Sequence, residues 1–134
     1  MAEAENRNEG LVRAFFDTLS AGDLERLRLL LHEQATWTVT ATGIPGAGEK
    51  KGRKAIIDEF LAPVRGMFVP GDPKVLVDRV IAQGPLVAAE ARGRGHFKDG
   101  REYANRYAFV IEIKDDKVFA LSEYMDSYYV STLV

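Results

Sequence analysis

The apolar positions of this chain keep two different periods, and the switch between them divides it. Over residues 4–19, Leu11, Phe15 and Leu19 recur every fourth position with Val12 and Phe16 beside them, the broad stripe of an amphipathic helix. Leu24, Leu27, Leu30 and Leu31 give a second helix its apolar side. Ala21-Gly22-Asp23 between them predicts a tight corner, since glycine accepts the left-handed conformation that ends one helix and aspartate caps the next. At 34–42 the period falls to two. Trp37, Val39 and Ala41 alternate there with Thr36, Thr38, Thr40 and Thr42, which predicts a strand with a threonine face. Gly43, Pro45, Gly46 and Gly48 make 43–51 a loop. Ile56, Ile57, Phe60, Leu61 and Val64 then form the buried side of a third helix over 52–65, which Pro63 kinks or ends.

From residue 74 onward the pattern is strand. Segments 74–82 and 86–97 flank Gln83-Gly84-Pro85, and Asp99-Gly100 marks the next hairpin. The last third reads as two long strands, 101–114 and 117–128, joined by Asp115-Asp116. In the first, Tyr103, Asn105, Tyr107, Phe109, Ile111 and Ile113 share one face, and Glu102, Ala104, Arg106, Ala108, Val110 and Glu112 the other. In the second, Phe119, Leu121, Glu123 and Met125 make the apolar side. Three helices and an early strand followed by a four-strand meander predict an α+β fold, with helices on one face of a curved antiparallel sheet. Small inward residues in 86–97 (Ala89, Ala91, Gly93, Gly95) leave room and permit a bend, so the sheet is expected to curl around a hollow. The outward charges Glu90, Arg92, Glu102 and Arg106 read as cross-strand pairs.

A chain of 134 residues reads as one domain, 1–134, large enough to bury a core without disulfides. It has no cysteine, which excludes structural disulfides and thiolate metal sites. With 18 basic and 20 acidic side chains, the net charge of -2 leaves no footprint for nucleic acid. No apolar run approaches the roughly 20 residues that span a bilayer. The acidic N-terminus is unlike a signal peptide, so a cytoplasmic protein without membrane contact is expected. His32 at a helix end and His96 near a turn do not make a metal site. No P-loop or dinucleotide pattern occurs, and Ser20, Ser122, Ser127 and Ser131 lack a nucleophile-elbow context, so no cofactor is expected.

Several segments in order resemble the nuclear transport factor 2-like superfamily, and within it the SnoaL-like and ketosteroid-isomerase-like proteins. They are Ala21-Gly22-Asp23-Leu24, Ala35-Thr36-Trp37, Gly52-Arg53-Lys54-Ala55-Ile56 and Ser122-Glu123-Tyr124-Met125-Asp126. The resemblance implies a cone in which a curved antiparallel sheet and three helices enclose an apolar pocket. It also implies a homodimer packed through sheet surface. Where ketosteroid isomerases carry an aspartate base and an oxyanion-hole tyrosine, this chain has Val39 and Phe15. Of the Asp-Arg-Asp set of limonene epoxide hydrolases, the first two positions fall near Gly93 and Ala91, and the last falls at Glu123. The hairpin before it usually carries Asp-Gly-Lys; here Asp115-Asp116 must take the positive φ, which aspartate tolerates.

Two polar residues sit on the apolar face of the final hairpin, Asn105 and Glu123. A carboxylate on a core face must be paired, protonated or placed in a cavity. Glu123 is therefore the candidate general acid or base, with Asn105 and Tyr107 orienting a ligand oxygen. Trp37, Phe60, Met67, Phe68, Tyr103 and Phe15 are the candidate lining of a pocket for a small apolar, cyclic or polyketide-like molecule. The bland account is a buried carboxylate tied to Asn105, a tyrosine or a backbone amide. Three readings follow: a cofactor-free isomerase, cyclase or hydrolase; a non-catalytic binder using the same pocket; and a structural dimer whose pocket is vestigial.

Overall fold

The structure is a computed structural model that describes residues 2–134. In chain order the elements are α1 (Ala2–Ala21), α2 (Leu24–Leu30), β1 (Leu31–Val39), β2 (Gly48–Lys51), a π-helical stretch (Ala55–Leu61) that runs into α3 (Ala62–Arg65), β3 (Lys74–Gln83), β4 (Leu86–His96), β5 (Glu102–Lys114), β6 (Lys117–Met125) and α4 (Ser127–Ser131). The strands form one curved open sheet in the order β2-β1-β6-β5-β4-β3. Four of its pairings are antiparallel, as the meander and the short hairpins require. β1 lies parallel to β6, so the sheet is mixed at that one seam. The α+β architecture with helices on one face is otherwise the one read from the periodicity.

Local chemistry explains the joints. Gly22 takes φ +76° after α1, and the Asp23 carboxylate accepts the Arg26 N–H at 3.0 Å to cap α2. Asp115 and Asp116 both take φ +55°, the mirror-image turn that matches the twist of a two-residue hairpin. Pro63 cannot donate to the helix ladder, and the helical path widens into the π-helical stretch just ahead of it.

α1 lies along β3 and is pinned at both ends. Ser20 Oγ accepts the Val75 N–H at 2.7 Å and donates to the Val75 carbonyl at 3.1 Å, and Asn8 Nδ2 donates to the Gly84 carbonyl at 3.2 Å. Between those pins Val12, Phe15, Phe16 and Leu19 join Leu27, Ile56, Ile57, Phe109, Ile111 and Leu121 in the core. Strict alternation along β5 buries Tyr103, Asn105, Phe109, Ile111 and Ile113 and exposes Glu102, Ala104, Arg106, Ala108 and Val110.

The structure departs from the periodicity in five places. Residues 48–51, read as loop, form β2. β1 starts at Leu31, so Leu31 and His32 belong to the strand rather than to the end of α2. On β6 the partners step from Ala120 to Val118 against Glu112 and Ile113, which makes Phe119 an extra, bulged residue and buries Val118 in its place. β6 stops at Met125, and the Asp126 carboxylate accepts the Tyr129 N–H at 3.0 Å to start α4. The outward charges pair with β3: Glu90 with Arg79, and Arg92 with Asp78 at 2.9 Å. Among the described residues no helix is long and apolar enough to cross a membrane.

Candidate site on the inner face of the sheet

Glu123 lies opposite Phe109 on one side and beside Val39 on the other, with its side chain on the inner face and 7 % exposed. Trp37 precedes Val39 by two residues and so shares that face. Its indole Nε1 donates to Glu123 Oε1 at 2.8 Å. The indole is itself held by three rings, with centroids of Phe15 at 6.1 Å, Phe60 at 5.7 Å and Phe109 at 6.4 Å. The carboxyl group thus sits in an aromatic wall, and burial pushes its pKa up to about 7 against an ordinary 4.5. The Trp37 N–H and the charge of Lys50 pull in the opposite direction and are outweighed. A carboxyl group poised near neutrality can both give and take a proton.

A polar relay runs along β5 beside it. Asn105 is 2 % exposed; its Oδ1 accepts the Arg106 N–H at 2.8 Å and its Nδ2 donates to the Tyr103 hydroxyl at 3.0 Å. The Tyr103 and Tyr107 hydroxyls are hydrogen-bonded to each other. Burial pushes the Tyr107 hydroxyl well above its ordinary pKa and raises that of Tyr103, so both are protonated donors at neutral pH. One bond between two phenols uses one of their two protons, so the pair has a donor to spare. Tyr107 faces Met125 where Phe109 faces Glu123, which makes Tyr107 and Glu123 diagonal neighbours on one face, within reach for long side chains.

Gly93 is where the expected hollow is corrected. A Cβ built there would lie 2.6 Å from Tyr107 Cε2 and 3.1 Å from both Tyr107 Oη and Tyr103 Cε2. The space over Gly93 is taken by the relay tyrosines, and that over Gly95 by Asp72 and Pro73, so these small inner positions seat neighbouring groups. Phe68 is buried, stacked on Phe97 at 4.4 Å and edge-on to Tyr103 at 5.5 Å, and so backs the relay. Met67 is 53 % exposed and is not part of the aromatic wall.

Lys50 was not legible in the pattern because β2 was not. It lies directly opposite Trp37, on the same face, with Nζ 4.5 Å from the Phe60 ring centre. A cleft of about 710 Å³ between α2 and the π-helical stretch shares none of these residues. It is lined by paired surface charges, including Arg28 with Asp58 at 2.9 Å and Lys54 with Asp58 at 3.1 Å, and has the chemistry of a solvated surface.

Residues 12–121 match the family model of the SnoaL-like domain. The chain belongs to the SnoaL-like domain family. Solved structures share the fold of this SnoaL-like chain at low identity. Bal32a, from a soil-derived mobile gene cassette, is 23% identical over 96% of this chain and 95% of its own, with a TM-score of 0.84. TerC, co-crystallised with polyporic acid, is 20% identical over 95% of this chain and 97% of its own, with a TM-score of 0.82. A nuclear transport factor 2-like protein of Burkholderia pseudomallei K96243 is 18% identical over 96% and 97%, with a TM-score of 0.83. Among curated proteins no sequence matches the SnoaL-like chain significantly.

Proposed function

We propose that this SnoaL-like protein binds a small apolar, cyclic molecule against the Trp37 wall and moves a proton on it without a cofactor. The observation that carries the reading is a 7 % exposed carboxyl group with one hydrogen-bond donor, Trp37, and a pKa pushed up to about 7. Glu123 takes or returns the proton. Asn105 holds Tyr103, Tyr103 holds Tyr107, and the spare phenolic proton of that pair stabilises the oxygen on which charge develops. Phe15, Phe60 and Trp37 hold the apolar skeleton. The co-crystal of TerC with polyporic acid supports a ligand of that general kind.

A panel of cyclic ketones incubated in deuterium oxide tests this. The wild type is expected to exchange hydrogen for deuterium next to the carbonyl, at a rate that rises through pH 7 as Glu123 ionises, and Glu123→Gln is expected to lose the exchange. Equal exchange in both proteins removes Glu123 from the chemistry. The packing around the relay favours a second reading, binding without chemistry, because the tyrosine rings fill the space over Gly93. Ligand binding with no exchange in either protein supports that reading.

Assembly as a homodimer through the outer face of the sheet is part of the same proposal. Ile81, Ala88 and Val110 form one cross-strand row there, and Ala108 and Tyr124 form the next, with Ile81, Val110 and Tyr124 exposed large apolar residues in a single chain.

A further inference from the structure

Lys50 brings a positive charge to the inner face of the sheet beside Trp37 and Glu123. Its neighbours Glu49 and Lys51 point outward and meet each other at 3.6 Å, while Lys50, opposite Trp37, turns inward. The ammonium sits over Phe60, and Phe60 packs edge-on against Trp37, whose N–H holds Glu123. Two backbone carbonyls, that of Gly46 in the preceding loop and that of Gly48 at the start of β2, accept from Nζ. Both glycines have positive φ, +84° and +102°, a conformation that glycine adopts without strain. An ammonium has three donors, so two carbonyls leave one N–H uncommitted. The carbonyls are dipoles and do not cancel its charge. Burial makes that charge costly, and the Glu123 carboxylate supports it. When Glu123 carries its proton, the site holds a positive charge with no anion to balance it.

We propose that Lys50 makes this site select ligands that carry an acidic oxygen on an apolar skeleton, an enol, a phenol or a carboxylic acid, whose anion lies against the Lys50 ammonium beside Glu123. The inference rests on the reading of the Glu123 wall as a binding site and adds the class of ligand. An enolate or phenolate formed by proton transfer to Glu123 is held by the lysine in place, and a neutral analogue of the same shape forgoes that attraction.

Two dyes with one skeleton separate the two ideas. 8-Anilinonaphthalene-1-sulfonate is anionic; N-phenyl-1-naphthylamine is the same ring system without the sulfonate. Trp37 is the sole tryptophan of the chain, so energy transfer from it reports bound dye, and the Lys50 variants test whether that dye lies at the wall. The wild type is expected to bind the anionic dye at least about tenfold more tightly than the neutral one. Lys50→Met and Lys50→Gln are expected to abolish the preference while changing the neutral dye's Kd by less than about threefold. Lys50→Arg should retain the preference. Lys51→Met, which removes the same charge from the outward side of the strand, should retain it too. Survival of the preference in Lys50→Met, or an equal loss of both dyes, overturns the proposal. If the neutral dye binds and the wild type has no preference, the charge selection alone is wrong. If neither dye accepts energy from Trp37, the binding-site reading is wrong, and the inference falls with it.

Discussion

Replacing Glu123 by glutamine keeps the shape of the side chain and removes its titration, so it isolates what ionisation costs the fold. The native carboxyl group titrates at about 7, whereas the unfolded chain keeps the ordinary 4.5. Between those values the folded protein binds a proton that the unfolded chain has released, so wild-type stability falls as pH rises through that window. Below about 4.5 the native carboxyl is neutral and carries no penalty; above about 7 the loss is complete. At about 1.4 kcal/mol per pH unit, the whole effect is roughly 3 kcal/mol. Glutamine still offers Oε1 to the Trp37 N–H, as the protonated carboxyl group does, and the stronger bond to the carboxylate is already contained in the titration at about 7. The expected outcome is near-equal stability of the two proteins at pH 4 and a variant more stable by about 3 kcal/mol at pH 8. Urea melts followed by Trp37 fluorescence at half-unit steps from pH 4 to 8 measure the difference, and the remaining titrations cancel between the proteins. A wild type that gains on Glu123→Gln as pH rises refutes the reasoning. It means that the native site favours the carboxylate and that Trp37 and Lys50 outweigh burial.

Three further outcomes follow from particular contacts. Tyr107→Phe removes the hydroxyl that meets Tyr103 and leaves the Asn105–Tyr103 bond in place, so deuterium exchange should fall by about 10²-fold with the fold retained; a change below about twofold means that the relay does not address the ligand. Gly93→Ala places a methyl 2.6 Å from Tyr107 Cε2, and denaturant melts should show a loss of about 1–3 kcal/mol; unchanged stability means that the ring has room to move. Val110→Lys puts a charge in the middle of the outer apolar face, and sedimentation equilibrium should give a dimer for the wild type and one chain for the variant; a wild-type monomer at tens of micromolar removes the dimer.

Alternation along a strand was sufficient to put Asn105, Tyr107 and Glu123 on the inner face, because consecutive side chains of a pleated backbone must point to opposite sides. Gly22-Asp23 and Asp115-Asp116 were legible for an equally local reason: the φ values that those corners demand are open to few residue types. The partner of Glu123 was not legible. Trp37 is 86 residues away, and only the parallel seating of β1 beside β6 brings its indole to the carboxyl group. β2 escaped detection because Gly48–Lys51 has no apolar period at all. It is a strand because the free edge of β1 offers unpaired N–H and C=O groups, and Lys50 faces inward only through its register with Trp37. Alternation along the chain puts Phe119 on the buried side, but a bulge depends on the partner strand, which the pattern of one strand does not contain. The sequence pattern pairs Met67 with Phe68 as pocket lining, whereas the turn after α3 buries Phe68 and leaves Met67 exposed. The sequence alone determined which residues could line the interior, through rules that act between neighbours in the chain. Which of them meet at Glu123 was decided by strand order, register and packing, which are set by contacts between residues far apart in the sequence.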